Sequence, residues 1–203
     1  MHMIKRLSRI CLVILLLLSI VNILLIYAPD YLTYSDKPEK SDAVVLFLGY
    51  DGKARQAEVN WLLTRGYARY LLIPAYGKIL EEPLPSGRHG RKAANPKKII
   101  ARLKPKIYFE NTHVEILEAR RMMSEYGLKS AIFVSSPYHM RRIKIITDKV
   151  FDNASFRIIF VPTRFAKFRQ DLRDLTKTDW KYLGNEYLKI AWFVTYSTVI
   201  TDQ

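Results

Sequence analysis

One stretch in the second half of the chain, Ala131–Arg142 (AIFVSSPYHMRR), constrains the fold most strongly. Its first four residues, Ala131–Val134, are an apolar run of the kind that forms a buried central strand, and a helix-start signal follows at once. Ser136 suits the N-cap position, and Pro137 suits the first helical turn. A strand that leads directly into a helix is the repeating unit of an open parallel α/β sheet. Ligands bind in such sheets where strand ends meet helix N-termini, so the sequence predicts a site at this turn.

The polar residues of this turn are the first binding candidates: Ser135, Ser136, His139 and Arg142. His139 and Arg142 are three positions apart and therefore share one face of the helix. The positive end of a helix disfavours imidazolium, so His139 is expected to be neutral and to serve as a catalytic proton donor or acceptor. Arg142 is expected to bind an anion, in which case Arg142→Ala weakens binding and leaves the fold intact. The alternative for His139 is a surface histidine packed on Tyr138.

Apolar β-rich runs alternate with helix-compatible segments along the rest of the chain. Strands are predicted at Ala43–Leu48, Tyr70–Ile73, Lys106–Phe109, Ala131–Val134 and Arg157–Val161. Helices are predicted at Lys53–Thr64, from about Thr112 to about Tyr126, after Ser136, and near Thr178–Tyr196. Right-handed crossovers between such strands give an α/β fold with a largely parallel five-stranded sheet. The apolar residues Ile190–Ile200 are too few to span a membrane and are predicted to form a buried final element.

The N-terminus contains an uncharged apolar run, Ile10–Ile26. With its neighbours it reaches across a bilayer core of about 30 Å at about 1.5 Å per residue, which predicts one transmembrane helix. Lys5, Arg6 and Arg9 precede the run and acidic residues follow it, so the N-terminus is predicted to be cytoplasmic and the domain extracytoplasmic. A cleaved signal peptide is the alternative, but the run is long for one and no A-x-A-like site follows.

Composition sets the outer limits on domains and partners. The chain has 203 residues, 49% of them apolar, which suffices for one core. We divide it into a basic flank with the membrane helix (1–28), a tether (29–41) and one domain (42–203). The formal charge of +14 requires an acidic partner, whether nucleic acid, anionic lipid, cell-wall polyanion or phosphorylated ligand. The single cysteine, Cys11, excludes an intramolecular disulfide and a Cys-based metal site.

The turn after the first predicted strand, Gly49–Gly52, provides a second set of candidates. It is not a G-x-G-x-x-G and therefore carries no dinucleotide fingerprint. Arg55 follows at the start of the next helix, where it would meet a phosphate or carboxylate held between this turn and the SSPYH turn. A solvated arginine on the helix surface is the alternative. Gly49 and Arg55 are thus candidate ligand-binding residues.

Polar residues also surround the start of the helix near Thr112. Thr112 and Glu115 form a T-x-x-E pattern, and a capping box of this kind explains both residues without a ligand. Glu110 and Asn111 either line the site or are simple loop residues. Glu110 is the candidate catalytic carboxylate, and Asn111 and Thr112 are candidate ligand-binding residues.

A strongly basic stretch lies between Gly87 and Phe109, with eight Lys or Arg and no acid. It is either a solvated loop or a lid that holds an anionic partner, and its lack of aromatic-basic alternation argues against nucleic-acid binding. The chain has no H-E-x-x-H, P-loop, G-x-S-x-G or Asp-rich cluster. No metal site is therefore predicted.

Three segments together resemble the YdcF-like family, whose members carry a domain of unknown function. They are the SSPYHMRR unit, ENTHVEILEA (Glu110–Ala119) and WKYLGNEYLKI (Trp180–Ile190), within a similarity that covers roughly residues 42–196. The resemblance implies a Rossmann-like three-layer domain, often tethered to the bacterial membrane. It also implies a crevice-facing Glu-Asn-Thr cluster, matched here by Glu110, Asn111 and Thr112, an Arg matched by Arg55, and a Trp and a Glu matched by Trp180 and Glu186.

The same resemblance raises S-adenosylmethionine as a ligand, although an extracytoplasmic domain would lack a supply of it. The chain departs from the family at Pro74–Gly77, where the family has a Ser-Gly-Gly turn. Three functions stay open for a protein of the bacterial inner membrane. It is an enzyme or ligand-binding domain for a small phosphorylated or nucleotide-like molecule in envelope biogenesis, a non-catalytic envelope assembly or barrier factor, or an anchored domain that binds anionic lipid or polymer.

Overall fold

The structure is a computed structural model that describes residues 12–16, 18–19, 26–81, 110–151, 155–168 and 172–199. Its strands are β1 (Ala43–Leu46), β2 (Tyr70–Ile73), β3 (Lys78–Glu81), β4 (Ser130–Ser135) and β5 (Arg157–Pro162). Its α-helices are α1 (Gly52–Thr64), α2 (Asn111–Glu125), α3 (Met140–Val150) and α4 (Lys177–Val199). Short 3-10 turns occur at Pro74–Tyr76, Pro137–His139 and Leu172–Asp174. The predicted strand Lys106–Phe109 and the basic stretch before it lie outside the described residues.

The five strands form one sheet in the order β3-β2-β1-β4-β5. β1 pairs in parallel with β2 and β4, and β4 pairs in parallel with β5. This confirms the predicted α/β fold with a mostly parallel five-stranded sheet. The chain order reverses direction between β1 and β4, and the carboxyl ends of these two neighbours therefore flank a crevice.

β3 was not predicted, and it is the antiparallel member of the sheet. It pairs with β2 from Tyr70–Glu81 to Ile73–Lys78, after a tight connection through the 3-10 turn Pro74–Tyr76. Gly77 ends that turn at φ 56, a left-handed conformation that glycine adopts without strain. A four-residue strand at a sheet edge is only partly buried, so it lacks the apolar run by which the other strands are visible in the sequence.

Helices cover both faces of the sheet. Alternate residues of β1 point to opposite sides, so that Val45 and Phe47 pack with α2 and α3 while Val44 and Leu46 pack with α1. α4 joins the first group through Phe193 and Tyr196. The result is a three-layer arrangement whose central strands are covered on both sides, which explains their continuous apolar sequences.

The stretch predicted to be a buried final element, Ile190–Ile200, lies in α4 as far as Val199, and the prediction that it is buried was wrong for part of it. Phe193 and Tyr196 are buried, whereas Trp192 is 50% exposed and Val194 is 43% exposed. The segment continues a helix of 23 residues, and one of its faces packs against α3 and joins the core through Phe193 and Tyr196. The stretch is apolar because both the buried and the exposed face of the helix carry apolar residues, and not because the whole stretch is buried.

The N-terminal region approaches the domain closely. Much of the predicted membrane helix, Ile10–Ile26, lies outside the described residues, and no helix among the described residues is long and apolar enough to cross a membrane. Residues 26–32 are helical, and the Tyr187 hydroxyl of α4 donates a hydrogen bond to the Ala28 carbonyl at 2.9 Å. The Tyr31 ring stacks on Tyr187, with ring centroids 6.1 Å apart.

The predicted tether, residues 29–41, also contacts the sheet. The backbone N–H of Asp36 donates to the Phe160 carbonyl at 2.8 Å, and the Phe160 N–H donates to the Asp36 carboxylate at 3.0 Å. These bonds satisfy backbone groups of β5 at the edge of the sheet, where unpaired groups would otherwise invite association with another chain.

Candidate functional site

A cavity of about 280 Å³ lies at the carboxyl ends of β1 and β4, and we call it the site cavity. Its polar and charged lining comes from every part of the fold that meets there: Tyr50, Arg55, Asn111, Thr112, Glu115, Tyr138, His139, Arg142, Tyr182, Asn185, Glu186 and Lys189, with Leu48 and Gly49. The position is the one predicted from the strand-turn-helix pattern. Gly49, Arg55, Asn111, Thr112, His139 and Arg142 among the candidates meet at this cavity.

The turns that follow β1 and β4 are held together by Arg55 and Asp51. Arg55 Nε donates to Ser136 Oγ at 3.0 Å, and Ser136 Oγ donates to the Asp51 carboxylate at 2.6 Å. Arg55 Nη1 donates to the carbonyls of Phe47 and Leu48 at 2.9 and 2.7 Å. Arg55 is buried, so these charge-assisted bonds fix the end of β1 against the end of β4. Ser136 thus links the turns, and its side chain makes no capping bond to the helix that it precedes.

Gly49 allows the Arg55 guanidinium to lie directly against the backbone. A Cβ atom at position 49 would lie 2.6 Å from Arg55 Nη2 and 2.8 Å from its central carbon. These distances are far below van der Waals contact, and the guanidinium cannot move aside without breaking its three hydrogen bonds. The glycine is therefore required by close approach.

We expect Gly49→Ala to displace Arg55 and to destabilise the fold by about 1–3 kcal/mol, the usual range for overpacking. Urea unfolding monitored by circular dichroism measures this loss. Gly52→Ala is the matched control, because a Cβ at position 52 meets nothing within 4 Å. Equal unfolding midpoints for the two variants would contradict the proposed role of Gly49.

Arg142 is the most highly connected residue of the site, and it is 1% exposed. Its Nε donates to Glu186 Oε2 at 2.7 Å, and its Nη1 donates to Glu110 Oε2 at 2.6 Å and to Thr112 Oγ1 at 2.8 Å. Its Nη2 lies 3.1 Å from Glu186 Oε1. Two carboxylates already neutralise this cation, so an anionic ligand would have to compete with them for Arg142.

His139 lies between Glu186 and Thr112. Its Nδ1 lies 3.2 Å from Glu186 Oε1 and 2.9 Å from Arg142 Nη2, and its Nε2 lies 3.1 Å from Arg142 Nη2 and 3.4 Å from Thr112 Oγ1. A proton on Nδ1 is donated to the Glu186 carboxylate and leaves Nε2 to accept from Arg142, whereas a proton on Nε2 leaves Nδ1 to accept from Arg142. Burial and the adjacent Arg142 lower the pKa of His139 to about 4. The ring is neutral at pH 7, as expected, but it is a weak base whose lone pair faces a cation.

The pKa values of the two carboxyl groups bound to Arg142 shift in opposite directions. Burial alone would raise the pKa of Glu186, but His139 and Arg142 lower that pKa to about 2. Burial raises the pKa of Glu110, with Arg142 opposing the increase. Glu110 Oε1 is buried and has no hydrogen-bond partner among the described residues. Glu186 is thus ionised and binds Arg142 through both of its oxygens. Glu110 binds Arg142 through one oxygen only.

Glu115 was predicted to be half of a capping box, and the structure corrects this. α2 begins at Asn111 with Glu110 as its N-cap, and no side chain among the described residues caps it. Thr112 is therefore inside the helix, where its hydroxyl bonds to Arg142. Glu115, one turn further along, lines the site cavity. Burial raises the pKa of Glu115 to about 7, opposed by Arg55, by the backbone of Leu48 and by Arg142.

A second cavity of about 340 Å³ shares Asn111, Thr112, Arg142 and Lys189 with the lining of the site cavity. Glu110, Asn111, Thr112 and Arg142 meet Leu188, Lys189 and Trp192 of α4 there. Lys189 lines both cavities and forms no salt bridge with another described residue. Sequence reasoning missed Lys189 because its only signal is its spacing of three positions after Glu186, which places both on one helix face.

Three of the predicted candidates lie beside the site cavity and not in its lining. Glu110 lines the second cavity, and Ser136 binds Asp51 and Arg55 as described. Ser135 ends β4 with its side chain fully buried, and its Oγ has no hydrogen-bond partner among the described residues. Sequence position correctly places these residues near the crevice, but it does not determine which way each side chain points.

The site contains the elements needed to bind an anion and to exchange a proton with it. Cationic groups of Arg55 and Lys189 line the site cavity, and the N-terminus of α2 adds N–H groups that no described side chain caps. Glu115 supplies a carboxyl that changes its charge near neutral pH. Within the described residues, no group of three His, Cys, Asp or Glu could hold a metal ion.

Comparisons with known proteins add no relative to this description. No family model, no curated protein and no solved structure matches the chain. The resemblance to the YdcF-like family therefore stays a prediction, and the function has to be argued from the site itself.

Proposed function

We propose that this protein binds a small anionic ligand, phosphorylated or nucleotide-like, in the site cavity. The observation that carries the proposal is the convergence of Arg55, Lys189 and the N-terminus of α2 on one cavity at the switch point of the sheet. Helix N-termini and cationic side chains are the usual partners of phosphate oxygens. The crevice beyond the carboxyl ends of parallel strands is also the usual location of ligands in this type of fold.

The size of the cavity limits the ligand. Small-molecule sites commonly measure about 300–1,000 Å³, and the site cavity of about 280 Å³ lies at the lower end. This volume favours a phosphate group with one attached sugar or base over a complete dinucleotide. S-adenosylmethionine has a sulfonium cation and is a poorer match to a cationic lining, so we rank it below phosphorylated compounds.

The setting that we propose is the envelope of a bacterium. The apolar run Ile10–Ile26, with basic residues before it, favours a single-pass anchor in the inner membrane with the domain outside the cytoplasm. The resemblance to the YdcF-like family points to the same setting and to envelope or cell-wall biogenesis. A phosphorylated sugar or a polyprenyl phosphate is a ligand that such a location would provide.

A non-catalytic role in envelope assembly, through protein or polymer contacts, is the second candidate function. One observation favours it: Glu186, Glu110 and Thr112 take up the donors of the buried Arg142, so that the network serves the fold. On this alternative, the site cavity has no ligand of its own. Occupancy of the cavity therefore separates the two candidates.

A ligand that binds only the folded state raises the melting temperature, so a thermal-shift screen of the full chain tests the proposal. The compounds are sugar nucleotides, sugar phosphates, polyprenyl phosphates and S-adenosylmethionine. For a compound that binds, we expect Lys189→Met to weaken binding by about tenfold or more, because a charge-assisted hydrogen bond contributes about 1.5–3 kcal/mol.

Lys181→Met is the matched control, since Lys181 is an exposed lysine of the same helix outside the cavity lining. It removes the same charge and should leave affinity within about twofold. An absence of any shift with phosphate-bearing compounds would favour the assembly role. Equal losses in Lys189→Met and Lys181→Met would indicate nonspecific attraction to a basic protein.

A further inference from the structure

We propose that Glu115 is a ligand-binding residue of the site cavity, and that its carboxyl, in the protonated form, donates a hydrogen bond to the bound anion. Anion binding is then coupled to the uptake of one proton. This inference rests on the proposed anion-binding function and names the group that makes binding depend on pH. It assigns to Glu115 the proton exchange that the sequence predicted for His139.

The position of Glu115 supports this role. Glu115 lies on α2 four residues after Asn111 and three after Thr112, so all three share the helix face that lines the site cavity. Two other carboxylates of the region, Glu110 and Glu186, form ion pairs with Arg142. Among the described residues, Glu115 has no such salt bridge, although it is partly buried in a cavity with two arginines.

The groups around Glu115 explain why its charge is sensitive to a ligand. Burial raises its pKa to about 7, while Arg55 of α1, the Leu48 backbone and Arg142 of α3 oppose the rise. His139 is neutral, and Glu186 and Lys189 of α4 face the same cavity with opposite charges. The phenols of Tyr50, Tyr138 and Tyr182 complete the titratable lining. An anion placed among these groups disfavours the ionised carboxylate further.

The direction of the coupling follows from linkage. An anion next to Glu115 raises its pKa above the value of about 7 in the unoccupied protein. The ligand therefore binds most tightly below pH 7, where Glu115 already carries its proton, and loses affinity as pH rises above 7. With one proton taken up, the affinity should fall by about tenfold between pH 6 and pH 8, because the loss approaches tenfold per pH unit above the midpoint.

Sulfate is the appropriate probe, because its own charge is constant over this range whereas the charge of phosphate is not. Calorimetric titration of the full chain with sodium sulfate at constant ionic strength, at pH 6, 7 and 8, gives the affinities. We expect wild type to show the fall of about tenfold. Glu115→Gln mimics the protonated carboxyl, so its affinity should be independent of pH and close to the wild-type value at pH 6.

Glu125→Gln is the control, since Glu125 is an exposed glutamate of the same helix and lies outside the cavity. It should keep the wild-type pH dependence. Two results together would overturn this inference but not the anion-binding function. They are that Lys189→Met weakens sulfate binding and that Glu115→Gln keeps the wild-type pH dependence. If sulfate binds at none of the three pH values, the anion-binding function is overturned, and this inference with it.

Discussion

Arg142→Ala is expected to lower the free energy of unfolding by about 3–5 kcal/mol, the cost of removing one partner from a buried ion pair. The change leaves Glu186, which is 3% exposed, without the cation that keeps it ionised. It also removes the bonds to Glu110 and Thr112. Urea unfolding of the full chain, with the midpoint and slope fitted together, measures the loss.

Arg120→Ala is the control for this experiment, because Arg120 is exposed on α2 and the same side-chain atoms are removed. A surface change of this kind should stay within about 0.5 kcal/mol of wild type. This expectation replaces the prediction from the sequence that Arg142→Ala leaves the fold intact. An unchanged unfolding midpoint with lost anion binding would restore the earlier interpretation of Arg142 as a ligand clamp.

Glu115→Gln is expected to stabilise the folded protein at neutral and higher pH. Folding raises the pKa of Glu115 from 4.5 to about 7, so in wild type this group favours folding less and less as pH rises from 4.5 through 7. Glutamine carries no charge to bury. At about 1.36 kcal/mol per pKa unit, the variant should gain on the order of 3 kcal/mol over wild type above pH 7 and nothing near pH 4.5.

Unfolding in urea at pH 5, 6, 7 and 8 tests this expectation, and only the difference between variant and wild type is interpreted. Taking the difference cancels the contributions of other titrating groups, such as His139. Stability curves that run parallel across this range would show that Glu115 has an ordinary pKa. A gain in stability together with altered binding would mark Glu115 as a residue kept for function at a cost in stability.

The sequence was sufficient to predict those parts of the fold that depend on local pattern. Tyr70–Ile73 was predicted with the bounds that the structure gives, and β1, β4 and β5 differ by two residues or fewer at each end. These strands are apolar along their length because helices cover both faces of the sheet. β3 was not predicted because its four residues, KILE, begin and end with a charge and are only partly buried, and because its pairing depends on the turn that ends at Gly77.

Individual side-chain contacts within the site were predictable only between residues that are neighbours in sequence. The spacing of three between His139 and Arg142 predicts the proximity of their side chains, and 2.9 Å separates Arg142 Nη2 from His139 Nδ1. The partners of Arg142 come from positions 32 and 44 residues away, and no local pattern announces such contacts. Glu115 was overlooked for the opposite reason, because a capping box accounted for it locally until the first turn of α2 was located.

The hydrogen bond between Tyr187 and Ala28 has a mechanical consequence. Glu186 and Tyr187 are consecutive residues of α4, the first bound to Arg142 at the site cavity and the second bound to residues 26–32. Arg141 and Arg142 repeat this division on α3, because Arg141 Nε donates to the Tyr31 carbonyl at 2.7 Å. Each of these two neighbouring helices thus binds residues 26–32 through one residue, Tyr187 or Arg141, and the cavity network through an adjacent residue, Glu186 or Arg142. A pull or tilt applied to that segment would therefore act on the same two helices that carry Arg142 and Glu186 to the cavity.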